Sequence, residues 1–116
     1  MAFEITLMLT GPLADITLSG ELDASTAPQF QQELDRVAGF WKAEPPGEPA
    51  QLELRLRDLV YMASAGIRML IFAKQRLGLA LTVYVVAPQE QPLETLRRTG
   101  VIHSVVVLDD YPATTG

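Results

Sequence analysis

Two short segments hold the side chains of this sequence that could carry a binding or regulatory function. GELDASTA runs from Gly20 to Ala27, and DLVYMASAGIRML runs from Asp58 to Leu70, with Ser64 between two alanines. Ser64 is predicted at or just before a helix N-terminus, where backbone N–H groups and the helix dipole favour negative charge. A phosphate on Ser64 would add about −1.5 to −2 charges without melting the helix, so its effect should appear at an interface.

The acids that would repel such a phosphate are Glu21 and Asp23. For Ser64, Asp23 and Thr26, however, a purely structural role is an alternative to a functional one. Ser64 could act only as a helix N-cap, although Ile67 stands where a capping box would need Glu or Gln. For Asp23, helix capping and partner contact are both open. For Thr26, capping is the favoured role.

The chain lacks the residue sets of the common catalytic and metal sites. It has no cysteine and one histidine, His103, which we expect to be an ordinary surface or strand-end residue. Neither G-x-x-x-x-G-K-[ST] nor G-x-G-x-x-G is present to hold nucleotide phosphates. The net charge of −5 argues against nucleic-acid binding. We therefore expect a protein-binding module that is not an enzyme and uses no metal or cofactor.

The elements that would position these segments follow from hydrophobic periodicity. Residues 3–9 alternate and predict a strand, and after the turn at Gly11-Pro12 a second strand continues to about Ser19, forming a hairpin. A helix is then predicted to start between Asp23 and Ala27, because apolar residues recur at spacings of three and four: Phe30, Leu34, Val37, Ala38 and Trp41. Residues 43–50 contain three prolines and should form a surface loop.

The second half of the chain predicts alternating strands and helices. Leu52, Leu54 and Leu56 alternate with charged residues, so this strand should have one apolar and one charged face. The remaining predicted elements are a helix at 64–77, a strand at 79–87, a short helix ending near Gly100 and a strand at 101–108. The predicted fold is α/β, a mixed sheet with helices mainly on one face in the order β-β-α-β-α-β-α-β. It should form a single domain, 1–116, with a frayed tail at 110–116.

Nothing in the sequence predicts export or membrane insertion. The N-terminus has no basic segment followed by a continuous apolar run, so it lacks the pattern of a signal peptide. The longest apolar stretches are interrupted by Arg68, Lys74 and Arg76. We therefore expect a cytoplasmic protein.

Both segments resemble motifs of the STAS domain family, and in particular of the small bacterial anti-sigma factor antagonists. The family's G-E-L-D-x-x-T-A motif is present in full from Gly20 to Ala27. Its second motif, D-S-[ST]-G-L, corresponds to residues 63–67, where Ala63 and Ala65 replace the acid and the second hydroxyl residue. The resemblance covers nearly the whole chain and implies a STAS-type mixed sheet.

The resemblance implies partner switching. The unphosphorylated protein would bind an anti-sigma factor that is also a GHKL-type serine kinase; phosphorylation of Ser64 would release it, and a PP2C-type phosphatase would reset the switch. The partner-binding residues implied are Glu21, Asp23, Thr26, Ala63, Ala65, Gly66 and Arg68. Gly66 would allow either close approach of the partner or tight packing of the helix. Two alternatives are a non-phosphorylated STAS adaptor subunit, for example on a transporter ATPase, and a STAS domain that binds a small ligand.

Overall fold

The fold combines five strands with three α-helices and one short 3₁₀ helix. The structure is a computed structural model, which describes residues 2–78 and 80–109. The elements are β1 (Glu4–Thr10), β2 (Leu13–Leu22), α1 (Ala27–Ala43), β3 (Gln51–Met62), α2 (Ser64–Leu77), β4 (Thr82–Val86), α3 (Glu90–Thr99), the 3₁₀ helix (Val101–Ser104) and β5 (Val106–Leu108). This order confirms the predicted α/β class. Among the described helices, none has both the length and the apolar character that crossing a bilayer requires.

The strands form one sheet in which spatial order follows chain order, β1-β2-β3-β4-β5. β1 and β2 pair antiparallel, from Glu4 opposite Ser19 to Thr10 opposite Leu13, and this confirms the predicted hairpin. The other neighbouring strands pair in parallel, because each is joined to the next by a helical connection. The sheet is therefore mixed, as predicted.

The core lies between one face of the sheet and the helices. Leu52, Leu54 and Leu56 of β3 are fully buried, together with Phe30 and Leu34 of α1. On the opposite face, β2 and β3 present polar and charged residues, so the helices do lie mainly on one side.

Glu53 departs from the predicted solvent-exposed charged face of β3. Glu53 is only 5% exposed, and its carboxylate oxygen Oε2 lies 3.6 Å from a guanidinium nitrogen of Arg55. Burial, and after it the negative charge of Asp15, raise the pKa of Glu53 despite the opposing effect of Arg55. Asp15 in turn accepts a 2.7 Å hydrogen bond from Arg55 Nε. The centre of this face is thus a compact charged cluster.

Two register shifts interrupt the pairing of β2 with the second half of β3. The pairs that flank them are Thr17–Arg55 and Ser19–Asp58, then Gly20–Leu59 and Glu21–Tyr61. At each shift β3 has one residue more than β2, as in a β-bulge. Each extra residue turns the following side chains to the other face, so the buried positions after Leu56 are Leu59 and Met62. β3 therefore continues through both bulges to Met62, two residues before α2 begins.

The predicted strand boundaries near the C-terminus were wrong in two places. β4 begins at Thr82, three residues later than predicted, and Leu79 itself lies outside the described residues. The predicted strand at 101–108 is a 3₁₀ helix over Val101–Ser104 followed by the three-residue β5. Gly100 ends α3 in the left-handed conformation, with φ of 78°, and the chain continues from it into the 3₁₀ turn. The predicted frayed tail at 110–116 also lies outside the described residues.

Candidate functional site

The two sequence segments meet at the carboxyl end of the parallel strands β2 and β3. Glu21 pairs with Tyr61 and Leu22 with Met62, and the Ala63 amide then donates a 2.9 Å hydrogen bond to the Leu22 carbonyl. This bond joins the end of β2 directly to the start of α2. The two junctions therefore lie side by side, as expected for strand-to-helix junctions at one end of such a sheet.

Ser64 is the first residue of α2 and is exposed to solvent. The N-cap position belongs to Ala63, with φ of −89° and ψ of 174°, and its carbonyl accepts a 2.9 Å hydrogen bond from the Gly66 amide. The alternative that Ser64 is only an N-cap is therefore wrong. Within the described part of the chain the Ser64 hydroxyl makes no hydrogen bond, so it is available to a modifying enzyme at a helix end that tolerates added negative charge.

Asp23 organises the turn that leads into α1. Its Oδ1 accepts hydrogen bonds from the Ser25 amide at 2.9 Å, the Ser25 hydroxyl at 2.7 Å and the Thr26 amide at 3.2 Å. The hydrogen bonds from Ser25, the hydroxyl first, hold the pKa of the Asp23 carboxyl below its usual value. Asp23 is thus a fixed negative charge at this end of the sheet, and its carbonyl accepts the Ala27 amide of the first helical turn at 2.8 Å.

Thr26 occupies the N-cap position of α1, but its side chain makes no cap hydrogen bond. Its hydroxyl instead donates to the Glu21 carbonyl at 2.9 Å and accepts from the Asp23 amide at 2.9 Å. The predicted capping function of the Thr26 side chain is therefore wrong. Thr26 closes the turn between β2 and α1, which fixes Asp23 and leaves Glu21 exposed at the end of its strand.

Gly66 is buried where the first turn of α2 crosses the ends of β2 and β3. A Cβ atom at this position would lie 2.7 Å from Leu22 Cδ2 and 3.0 Å from Met62 Cγ. Both neighbouring side chains are themselves buried, at 0% and 1% exposure. Of the two roles that the sequence allowed for Gly66, tight packing of the helix is therefore the one with observed contacts.

Gly20, the first residue of the G-E-L-D-x-x-T-A motif, is also needed for structural reasons. Its φ of +86° lies in the region that favours glycine. A Cβ here would also overlap the Ala2 carbonyl oxygen and lie 3.0 Å from Phe3 Cα. Gly20 thus lets the start of β1 pass close to β2, immediately before the exposed Glu21.

Ala65 and Arg68 lie on the side of α2 that faces the start of α1. Together with residues of both helices they line a shallow surface groove, whose other members are Ala24, Ala27, Pro28, Gln31 and Met69. Arg68 is exposed, Ala65 and Met69 are half-buried, and Ile67 and Met62 belong to the core. Ser64 has no bulky sequence neighbour, because Ala63 and Ala65 on either side of it are small.

Gln91 of α3 supports this region, and sequence reasoning missed it. Its Oε1 accepts a 2.7 Å hydrogen bond from the Met62 amide, and its Nε2 donates to the Met62 carbonyl at 3.1 Å. The buried Thr95 hydroxyl donates to the same carbonyl at 3.1 Å, while Gln89 Nε2 donates to the Arg57 carbonyl at 2.7 Å. β4 pairs with β3 only as far as Arg55, so these side chains replace a strand along the last part of β3.

Comparison with known proteins identifies the family. Residues 6–112 match the STAS domain, and the chain belongs to the STAS domain family. Comparison with curated protein sequences gave no match.

Solved structures agree on the fold. An anti-sigma factor antagonist from Mycobacterium paratuberculosis is 22% identical with a TM-score of 0.75, over 92% of this chain and 86% of that one. The anti-sigma factor antagonist SpoIIAA in its unphosphorylated form is 21% identical with a TM-score of 0.66, over 98% and 93%. The phosphorylated form of the Bacillus cell fate determinant SpoIIAA is 18% identical with a TM-score of 0.66, over 98% and 95%. These similarities agree with the predicted STAS-type fold.

Proposed function

We propose that this STAS domain is an anti-sigma factor antagonist that works by partner switching in the cytoplasm. Its unphosphorylated form binds an anti-sigma factor that is also a GHKL-type serine kinase. Phosphorylation of Ser64 ends the complex, and a PP2C-type phosphatase restores the binding form. The observation that carries this proposal is the exposed Ser64 hydroxyl at the first residue of α2, joined through Ala63 and Leu22 to the acidic end of β2.

The local electrostatics support a switch that acts on binding and leaves the fold intact. The N-terminal turn of α2 is positive, and the cap residue Ala63 has no side chain to neutralise it. A phosphate on Ser64 is therefore tolerated by its own helix. The same phosphate adds about two negative charges to an end of the sheet that already presents Glu21 and Asp23, so a partner surface matched to the unphosphorylated form is repelled.

The partner surface in this proposal consists of residues at the two helix starts. Glu21 and Arg68 contact the partner with exposed charges, and Ala63 and Ala65 allow it to approach Ser64 closely. Asp23 contributes a fixed negative charge. Thr26 and Gly66 act by shaping the two junctions, since their observed contacts are within the chain.

A second candidate is a STAS adaptor subunit without a phosphorylation cycle. Ala63 favours it, because the phosphorylated motif of the family has an acid at this position and a kinase that requires the acid would not recognise Ser64. Such an adaptor would use the same surface for a permanent partner.

Phosphorylation in vitro tests the proposal. We expect the wild-type chain, incubated with ATP and the GHKL-type serine kinases of its own genome, purified one at a time, to gain the mass of one phosphate group with one of them. Ser64→Ala should gain none, whereas Ser104→Ala, which removes an exposed hydroxyl outside both motif segments, should be phosphorylated like the wild type. Absence of phosphate on the wild type with every kinase, or equal phosphorylation of Ser64→Ala, would refute the switch. A stable complex with one of these proteins without phosphate transfer would favour the adaptor.

A further inference from the structure

Two adjacent apolar side chains are exposed at the end of β3, close to Ser64 in the chain. Val60 is 37% exposed and Tyr61 is 41% exposed, although both belong to a strand whose other apolar residues are buried. Single exposed apolar residues are common on protein surfaces and need no explanation. Here, however, two neighbours in one strand are exposed together, three and four residues before the modified serine.

The register shifts of β3 explain how neighbouring residues come to be exposed together. In a regular strand, successive side chains point to opposite faces, so one of any two neighbours would be directed at the core. Val60 is the extra residue at the second shift, between Leu59, paired with Gly20, and Tyr61, paired with Glu21. The bulge lets Leu59 and Met62 remain buried while both intervening residues face outward. Bulges commonly redirect side chains in this way beside functional sites.

Charged residues surround this apolar pair. Glu21 is the cross-strand neighbour of Tyr61, and Asp58 lies on the same strand just before the bulge; both are exposed. Asp23 adds the fixed negative charge described above. An apolar surface with a charged rim is typical of a protein-binding site, and this one has a predominantly acidic rim.

We propose that Val60 and Tyr61 form the apolar anchor of the surface that binds the anti-sigma factor. This inference rests on the proposed function and assigns residues that neither sequence motif had singled out. Tyrosine suits this position because its ring gains from burial while its hydroxyl can remain in contact with water. The complementary partner surface is an apolar pocket with basic residues at its edge, which would face Glu21 and Asp58.

The apolar anchor also gives the phosphate on Ser64 a second way to release the partner. A partner that covers Tyr61 closes over the β3–α2 junction, because only Met62 and Ala63 separate Tyr61 from Ser64. A phosphate placed there must give up hydration when the apolar contact forms, and this cost adds to the repulsion by acids. Release by phosphorylation should therefore persist at salt concentrations that screen the repulsion.

A matched pair of variants tests the anchor. Val60→Thr combined with Tyr61→Thr removes apolar surface and places a β-branched residue, which suits a strand, at both positions. The control is Met8→Thr, since Met8 is 70% exposed on the same open face of the sheet. Met8 pairs with Asp15, and Tyr61 pairs with Glu21, which lies six residues further along β2. Met8 is therefore about 20 Å from Tyr61. Binding is measured by calorimetry with the kinase that phosphorylates the wild type, and folding by thermal unfolding.

The expected result is a Kd raised about thirtyfold or more for the double variant, with the control within twofold of the wild type. The thermal midpoints of both variants should remain close to that of the wild type. Binding of the double variant within twofold of the wild type overturns the anchor but leaves the proposed function intact. An equal loss in Met8→Thr also overturns it, because the effect would then not be specific to this surface. If the wild type neither binds nor accepts phosphate from any of these kinases, the proposed function itself fails.

Discussion

Replacing Gly66 with alanine should destabilise the domain even though alanine is the better helix former. In a helix, alanine is favoured over glycine by about 1 kcal/mol. The new methyl group, however, would lie 2.7 Å from Leu22 Cδ2 and 3.0 Å from Met62 Cγ, and both of these side chains are buried in the core. Overpacking of this kind costs about 1–3 kcal/mol, and contacts this short belong near the upper end. We expect a net loss of roughly 1–2 kcal/mol in the free energy of unfolding.

Gly39 provides the matched control for this prediction. It is an exposed residue inside α1, and a Cβ built there meets nothing within 4 Å. Gly39→Ala should therefore gain about 0.5–1 kcal/mol from helix propensity alone. Urea unfolding followed by circular dichroism should give opposite changes in midpoint for the two variants, with the same m-value. If Gly66→Ala is as stable as the wild type, Gly66 is not held by packing and the explanation of its role is wrong.

Two further changes test the support of the site and the charged cluster on the open face of the sheet. Gln91→Ala should lower the free energy of unfolding by about 1–3 kcal/mol, because the Met62 amide loses its acceptor, whereas the Met62 carbonyl keeps its bond to Thr95. Hydrogen exchange at the Met62 amide should become faster, and unchanged exchange there would contradict this prediction. Glu53→Gln should raise the thermal midpoint at neutral pH, because burial and Asp15 raise the pKa of Glu53 and make its charged form costly above that pKa. This gain in thermal midpoint should shrink as the pH falls through the raised pKa of Glu53 toward the ordinary glutamate value, because the wild-type carboxyl then also becomes neutral. A gain that does not depend on pH would contradict this explanation.

The sequence predicted those parts of the fold that have a regular period. α1 buries only one of its faces, and residues of that face such as Phe30 and Leu34 recur at helical spacing, so the pattern identified the helix. The second half of β3 could not be predicted in the same way. Its bulges place buried residues at Leu56, Leu59 and Met62, a spacing of three that imitates a helix inside a strand. Alternation fails wherever one strand has a residue more than its neighbour.

The candidate site was predicted in outline but not in its supporting contacts. Motif resemblance located Ser64 and Asp23, and the observed end of the sheet brings their segments together. Periodicity gave no sign of Gln91, because an amide on an exposed helix turn looks like any surface residue until its distant partner is known. The burial of Glu53 was missed for a similar reason: it depends on neighbours from two other strands, Asp15 and Tyr84.

The side-chain closure of β3 by α3 has a consequence for how this chain can change over evolution. A neighbouring strand supplies its hydrogen bonds from the backbone, so almost any residue can occupy it without loss of pairing. The Met62 amide instead donates to the side chain of a single glutamine, so one substitution at Gln91 can abolish this bond, although Thr95 still bonds the Met62 carbonyl. Tolerance to mutation in α3 should therefore be low at this one position and ordinary at its solvent-facing neighbours, although α3 carries neither sequence motif. The position of Ser64, the proposed site of phosphorylation, would then depend on a residue that lies almost thirty positions further along the chain.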